Sequence, residues 1–206
     1  ETTYSSAFRA FQKLSERGVQ FAVSAGNEGR GNYLKDNDQT TNYGLYPNLP
    51  TDQAELGILG SYANSAYATI VASSRLQADT SLKDATAYRQ KVSGFSSDGV
   101  TWDLRLNPDI ITPGESIWGA TYYPAGSTTK YVYMDGTSMA APNYAGVVAN
   151  VLSNGDFTTD EERQEYQLTL ERRIQSTATP LTQEVGGVVT GFYSPRKQGA
   201  GLPNVA

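Results

Sequence analysis

One serine stands where a nucleophile would have to stand. The stretch Gly136-Thr137-Ser138-Met139-Ala140-Ala141-Pro142 joins two runs of different character. Before it, Tyr131-Val132-Tyr133-Met134 is β-branched and aromatic, the composition of a strand. After it, Ala141 to Leu152 is small and apolar with a helical rhythm. A hydroxyl at that junction sits at a helix N-terminus, where unpaired N–H groups and the dipole favour developing negative charge. Pro142 falls in the first helical turn, where its missing N–H costs nothing. Ala140, Ala141 and Ala145 leave room for the helix to lie close against a sheet. The chemistry that suits this arrangement is acyl transfer through a covalent serine ester.

The rest of the inventory limits that chemistry. The 206 residues contain no histidine and no cysteine. A serine hydrolase of the usual kind takes its base from an imidazole. If Ser138 is the nucleophile, its base lies outside this chain or is not a histidine. The lack of cysteine excludes disulfides and thiol catalysis within the chain and does not identify a compartment. A net charge of −5 argues against a nucleic-acid partner. No apolar run approaches the length of a membrane span. No signal peptide is seen, and Glu1-Thr2-Thr3 opens directly into a helical pattern, so the chain is expected to start inside a domain.

The elements that must position Ser138 follow from periodicity. Tyr4, Ala7, Phe8, Phe11 and Leu14 recur at helical spacing, and Gly18 supplies a stop. Val19 to Ser24 fits a buried parallel strand ending at the turn Ser24-Ala25-Gly26-Asn27-Glu28-Gly29. Arg30 to Pro50 reads as a long polar loop. Tyr67 to Ala72 is a second buried strand, residues 75–91 are polar and mixed, and Val92 to Ser97 is a short strand leading into a turn. Asn107 to Gly114 is a strand closed by Pro-Gly. Thr159-Asp160-Glu161-Glu162 has the capping-box pattern and opens an amphipathic helix with Tyr166, Leu170 and Ile174 on one face. The tail from Thr177 is turn-rich. Strands alternating with helices predict an α/β fold with a mostly parallel sheet, in one domain spanning residues 1–206.

The seven residues around Ser138 also approximate the nucleophile elbow of α/β-hydrolases, whose acid and histidine should follow the serine. The full string is more specific and resembles the serine motif of subtilisin-like proteases. Further matches occur in order: Ala25-Gly26-Asn27, Thr69-Ile70-Val71-Ala72, Phe95-Ser96-Ser97-Asp98-Gly99 and Asn107-Pro108-Asp109-Ile110-Ile111-Thr112-Pro113-Gly114. The tail Ser194-Pro195-Arg196-Lys197-Gln198-Gly199-Ala200-Gly201 is similar to the bacterial cell-envelope branch, the lactocepin and C5a-peptidase type. The resemblance implies the subtilisin-like three-layer fold and a serine endopeptidase acting on proteins or peptides. The chain would be the C-terminal part of its catalytic domain. An extracellular or cell-surface location goes with that branch.

Residue roles follow from the resemblance. Ser138 would be the nucleophile and Asn27 the side-chain donor of the oxyanion hole; taken alone, Asn27 better suits a turn that tolerates left-handed geometry, and it is the Ser138 motif downstream that reverses this. Ala25, Gly26, Ala66, Tyr67 and Thr69 would line the pocket for the residue before the cleaved bond, although small residues there also suit plain packing. No cofactor is implied. Asp36 and Asp38, with Asn37, offer oxygen ligands for calcium, but the spacing completes no metal loop. The family's aspartate and histidine segments should precede Glu1, and neither is present. The branch often carries a protease-associated domain between the Ala72 and Phe95 segments, where this chain has a short link. Two other readings stay open: a sedolisin-like peptidase with a glutamate base, against which Asn27 argues, and an inert pseudo-protease or scaffold. Without its N-terminal half the piece is expected to be inactive, and to self-associate or to pair with that half.

Overall fold

The computed structural model describes residues 3–29, 59–78, 88–122, 128, 130–185 and 188–204. The expected loop from Arg30 to Pro50, with Asp36, Asn37 and Asp38, lies outside the described residues.

Helix α1, Thr3–Ser15, ends where the sequence says it must. Gly18 has φ +85°, its N–H donates to Ser15 O at 2.8 Å, and Val19 N–H donates to Leu14 O at 3.1 Å. This pair of bonds is the Schellman arrangement, which needs a residue without a Cβ in the left-handed region. The chain then enters strand β1, Ala22–Ser24, shorter at its start than the predicted run from Val19. A short 3₁₀ turn, Ser61–Asn64, precedes β2, Thr69–Ala78, which extends well beyond the predicted Ala72. The extension is explained by β3, Tyr88–Val92, which pairs antiparallel with it from Ser74↔Val92 to Ala78↔Tyr88. The polar stretch thus hides a hairpin.

The segment after Val92 is not the expected strand. Ser93 N–H donates to Ser73 O at 2.8 Å and Ser96 N–H to Ser93 O at 3.0 Å, so the chain turns away where the β2–β3 ladder ends, midway along β2, instead of running on beside it. Two short strands follow, β4 (Gly99–Val100) and β5 (Leu106–Asn107), paired antiparallel. Strand β6, Ile110–Pro113, pairs parallel with β2, as β1 does. The sheet core is therefore parallel, with β3 as its antiparallel exception. A separate two-stranded sheet joins β7, Ile117–Ala120, to β8, Tyr131–Met134.

Helix α2, Thr137–Ser153, and helix α3, Asp160–Thr177, cover one face of the sheet. Val71 and Ile110 meet Ala140, Tyr144, Val148, Leu170 and Ile174 there. On the other face Ile70 and Ala25 pack with Phe11 and Phe21, while Ala72 and Ile111 meet Leu181 from the tail. Neighbouring residues of β2 point to opposite faces, so Ile70, Val71 and Ala72 serve both layers, as a strand buried on both faces should. Three layers result. At the start of α3, Thr159 Oγ1 accepts from Glu162 N–H at 3.1 Å. The Glu162 carboxylate reaches back one residue further than the capping box requires, to Thr158 N–H at 2.9 Å. The tail adds a hairpin, β9 (Thr182–Val185) with β10 (Val188–Phe192), and a final turn of helix, α4 (Pro195–Gln198).

Candidate active site

Ser138 is the second residue of α2 and is exposed. Its position depends on the close seating of the preceding turn on the end of β6. Gly136 N–H donates to Gly114 O at 2.8 Å. A Cβ at Gly114 would lie 2.6 Å from both Gly136 O and Ser73 Oγ, so only glycine lets the two backbones meet. Further along the helix, Ala140 is fully buried and its carbonyl accepts from Thr112 Oγ1 at 2.7 Å. Pro113 O accepts from Asn143 Nδ2 at 2.6 Å. The helix start is thus bonded to β6 on three sides.

Asn27 lies in the turn after β1 and comes to the same place. Its Oδ1 accepts from Thr137 N–H at 2.9 Å and from Thr137 Oγ1 at 3.0 Å. A backbone N–H can only donate, so the carbonyl end of this amide is assigned and Nδ2 is left as the free donor. The point where a Cβ would stand on Gly136 is 3.4 Å from Asn27 Nδ2 and 3.6 Å from the Ser138 backbone nitrogen. Both nitrogens therefore border one small space in front of the serine turn. That is the donor pair an oxyanion needs: one side-chain amide and one helix N-terminal N–H.

Sequence reasoning passed over Thr137 except as part of a motif. The residue is buried, donates to Asn27 as described, and accepts from Gly26 N–H at 3.1 Å. It locks the Asn27 turn to the serine turn. A second brace comes from behind. Gly29 N–H donates to Phe95 O at 2.9 Å and Ser97 N–H to Gly26 O at 2.9 Å. Ser97 Oγ donates to the Glu28 carboxylate at 2.9 Å and accepts from Glu28 N–H at 3.0 Å.

The expected pocket residues divide. Ala25 and Gly26 adjoin Asn27, but Ala25 is fully buried and its carbonyl accepts from Gly60 N–H at 2.7 Å. Ala66, Tyr67 and Thr69 are not brought to Ser138. The parallel register Ala22↔Thr69 to Ser24↔Val71 puts them at the entry end of β2, whereas Asn27 follows the exit end of β1. They line a separate cavity of about 230 Å³ with Glu16, Phe21 and Glu171. The hollow that touches Ser138 holds about 520 Å³ and is lined by Ala7, Phe11, residues 22–24 of β1, Tyr62 and Ala141. Phe11 and Tyr62 were missed because a helix core position and a turn residue carry no local mark of a cleft.

Titration behaviour is perturbed away from this turn. Burial pushes the Asp109 carboxyl up to about 7, against the pull of the Ile70 N–H that it accepts at 2.7 Å. Burial also raises Glu171, and Tyr144 to about 12. Among the described residues no group of three or more acidic, histidine or cysteine side chains forms a metal site, and no helix is long and apolar enough to cross a membrane. The turn brings the Ser138 hydroxyl and two N–H donors together, and the chain has no histidine to take a serine proton.

The model of the subtilase family, Peptidase_S8, matches residues 1–201. The chain is similar to a C5a peptidase of Streptococcus pyogenes, 34% identical over 117 residues, covering 56% of this chain and 10% of that protein. It is also similar to a PII-type proteinase of Lacticaseibacillus paracasei, 33% identical over 135 residues, covering 61% of this chain and 7% of that protein. The chain thus spans a tenth or less of these relatives. Among solved structures, a PatG macrocyclase in complex with peptide shares the fold, with a TM-score of 0.55 and 20% identity over 96% of this chain and 45% of that one.

Proposed function

Since this chain belongs to the subtilase family, we propose that it carries the nucleophile and oxyanion half of a serine endopeptidase centre. Ser138 attacks the peptide carbonyl and forms the acyl-enzyme; Asn27 Nδ2 and the Ser138 N–H hold the oxyanion. The observation that supports this most is the fixed Asn27 amide, whose oxygen is spent on Thr137 and whose nitrogen borders the serine turn. The serine proton has to pass to an imidazole supplied from another part of the protein, since this chain has none. Peptides and proteins are the substrates, and the protein acts outside the cell or on its surface.

The missing part has a place to dock. Among the described residues β1 pairs with β2 alone, so its other edge is open. The apolar hollow lined by Phe11, Tyr62 and β1 reaches Ser138. The N-terminal half of the catalytic domain covers both. Without it the piece lacks its base, is close to inactive, and self-associates through the open edge.

A fluorophosphonate probe offered to the full-length protein labels Ser138, and Ser138→Ala abolishes both labelling and peptide cleavage. A histidine-containing full-length protein that does not label overturns the reading and leaves a scaffold that keeps the fold without turnover. Asn27→Leu lowers kcat by about 10²–10³ with little change in KM, a magnitude carried over from loss of the equivalent donor in subtilisin.

A further inference from the structure

The β7–β8 ribbon alternates cleanly. Ile117, Gly119, Val132 and Met134 are half-buried, while Trp118, Ala120, Tyr131 and Tyr133 are exposed. The solvent face of such a ribbon ordinarily carries polar side chains. This one carries three rings. Trp118 stands directly opposite Tyr133, with ring centroids 4.6 Å apart, and stacks on Tyr131 at 6.0 Å and 15°. Trp118 is 57% exposed and Tyr133 70%. Such cross-strand ring pairs support the ribbon, and a contiguous ring surface left in water also offers a site of contact. Because the rings hold one another in place, they have little freedom to lose when something docks on them.

The ribbon is also tied to the serine. Strand β8 ends at Met134 and runs straight into the turn. Asp135 Oδ1 accepts from Ser116 N–H, which closes the ribbon, and Gly136 is bonded to Gly114. Tyr133 precedes Ser138 by five residues, 138 less 133, so the two are at most about 17 Å apart along the chain. An extended polypeptide rises about 3.3 Å per residue and reaches the ring face within about five residues of the attacked bond. Trp118, Ala120, Tyr131 and Tyr133 include no acidic or basic residue, so the face offers ring surface and not an ion-pair partner.

We infer that this ring face continues the serine site as a substrate-docking surface, taking aromatic or proline side chains of the polypeptide being cleaved. The inference rests on the reading of Ser138 as nucleophile. The test uses the full-length protein and two fluorogenic peptides that differ in phenylalanine or alanine three to five residues from the cleaved bond. The phenylalanine peptide is preferred in kcat/KM, mainly through KM. Trp118→Ala with Tyr133→Ala reduces that preference roughly tenfold, and Trp118→Phe with Tyr133→Phe retains most of it. Fluorophosphonate labelling of Ser138 needs no peptide side chain and reports the nucleophile separately. Absence of labelling sinks the nucleophile reading and this one with it. Labelling with a peptide preference that survives the alanine pair overturns the docking surface alone. So does an alanine pair that abolishes binding of a soluble oligosaccharide, or self-association in sedimentation, while peptide preference stays intact.

Discussion

Thr137 carries more of the site than its small size suggests. Its hydroxyl and N–H both bond Asn27 Oδ1, and its hydroxyl also receives the Gly26 N–H. Replacing threonine by valine keeps the shape and the N–H but removes both hydroxyl bonds. Each such bond is worth about 1 kcal/mol, and the loss loosens the Asn27 amide, which on the proposed reading holds the developing charge. Thr137→Val in the full-length protein is therefore expected to lower kcat roughly tenfold with KM nearly unchanged. Steady-state kinetics on a short peptide checks this; a change in KM alone would assign Thr137 to substrate binding instead.

At the scale of elements, the site depends on how closely α2 seats on β6. Gly114 is the contact point, and an added methyl there meets backbone oxygen, which cannot swing aside. Gly114→Ala should cost about 1–3 kcal/mol by overpacking and should slow fluorophosphonate labelling of Ser138, because the turn is pushed off the sheet. Gly146 is the control. It lies within α2, is exposed, and an added Cβ there meets nothing within 4 Å. Gly146→Ala should stabilise the domain by about 0.5–1 kcal/mol and leave the labelling rate as it was. Denaturant midpoints of the two variants should move in opposite directions.

Over the whole molecule, two half-buried acids, Asp109 before β6 and Glu171 on α3, set a pH dependence. Asp109 titrates near 7 in the folded state and near the ordinary aspartate value of 3.8 when unfolded. The folded state therefore binds the proton more tightly, and between those values it holds more protons than the unfolded chain. Stability falls as pH rises across that window, by at most about 4 kcal/mol from this group. Glu171, also raised by burial, acts in the same direction. Asp109→Asn keeps an acceptor for the Ile70 N–H and should flatten the decline between about pH 4.5 and 7.5 in urea midpoints. An unchanged slope would show that the Asp109 carboxyl is not the group responsible.

Short-range pattern was enough to place the serine turn. A strand-like run, a glycine, a serine and an alanine-rich helix with proline in its first turn are all local features, and the structure has them at Tyr131–Met134 and Thr137–Ser153. The Gly18 stop and the Thr159 cap were legible for the same reason, since they satisfy backbone groups within a few residues. Even the absence of histidine was plain, because it is a matter of composition. What the sequence alone could not supply was register. Whether Thr69 lies level with Ala22 or with Asn27 is decided by which backbone groups of two distant strands pair, and that put Ala66, Tyr67 and Thr69 at the far end of the sheet. The Thr137–Asn27 bonds span 110 residues. The Gly114 contact and the exposed ring face of β7–β8 likewise exist only once strands are laid side by side. Local chemistry singled out Ser138 and its neighbours in sequence; tertiary pairing decided which groups stand around it.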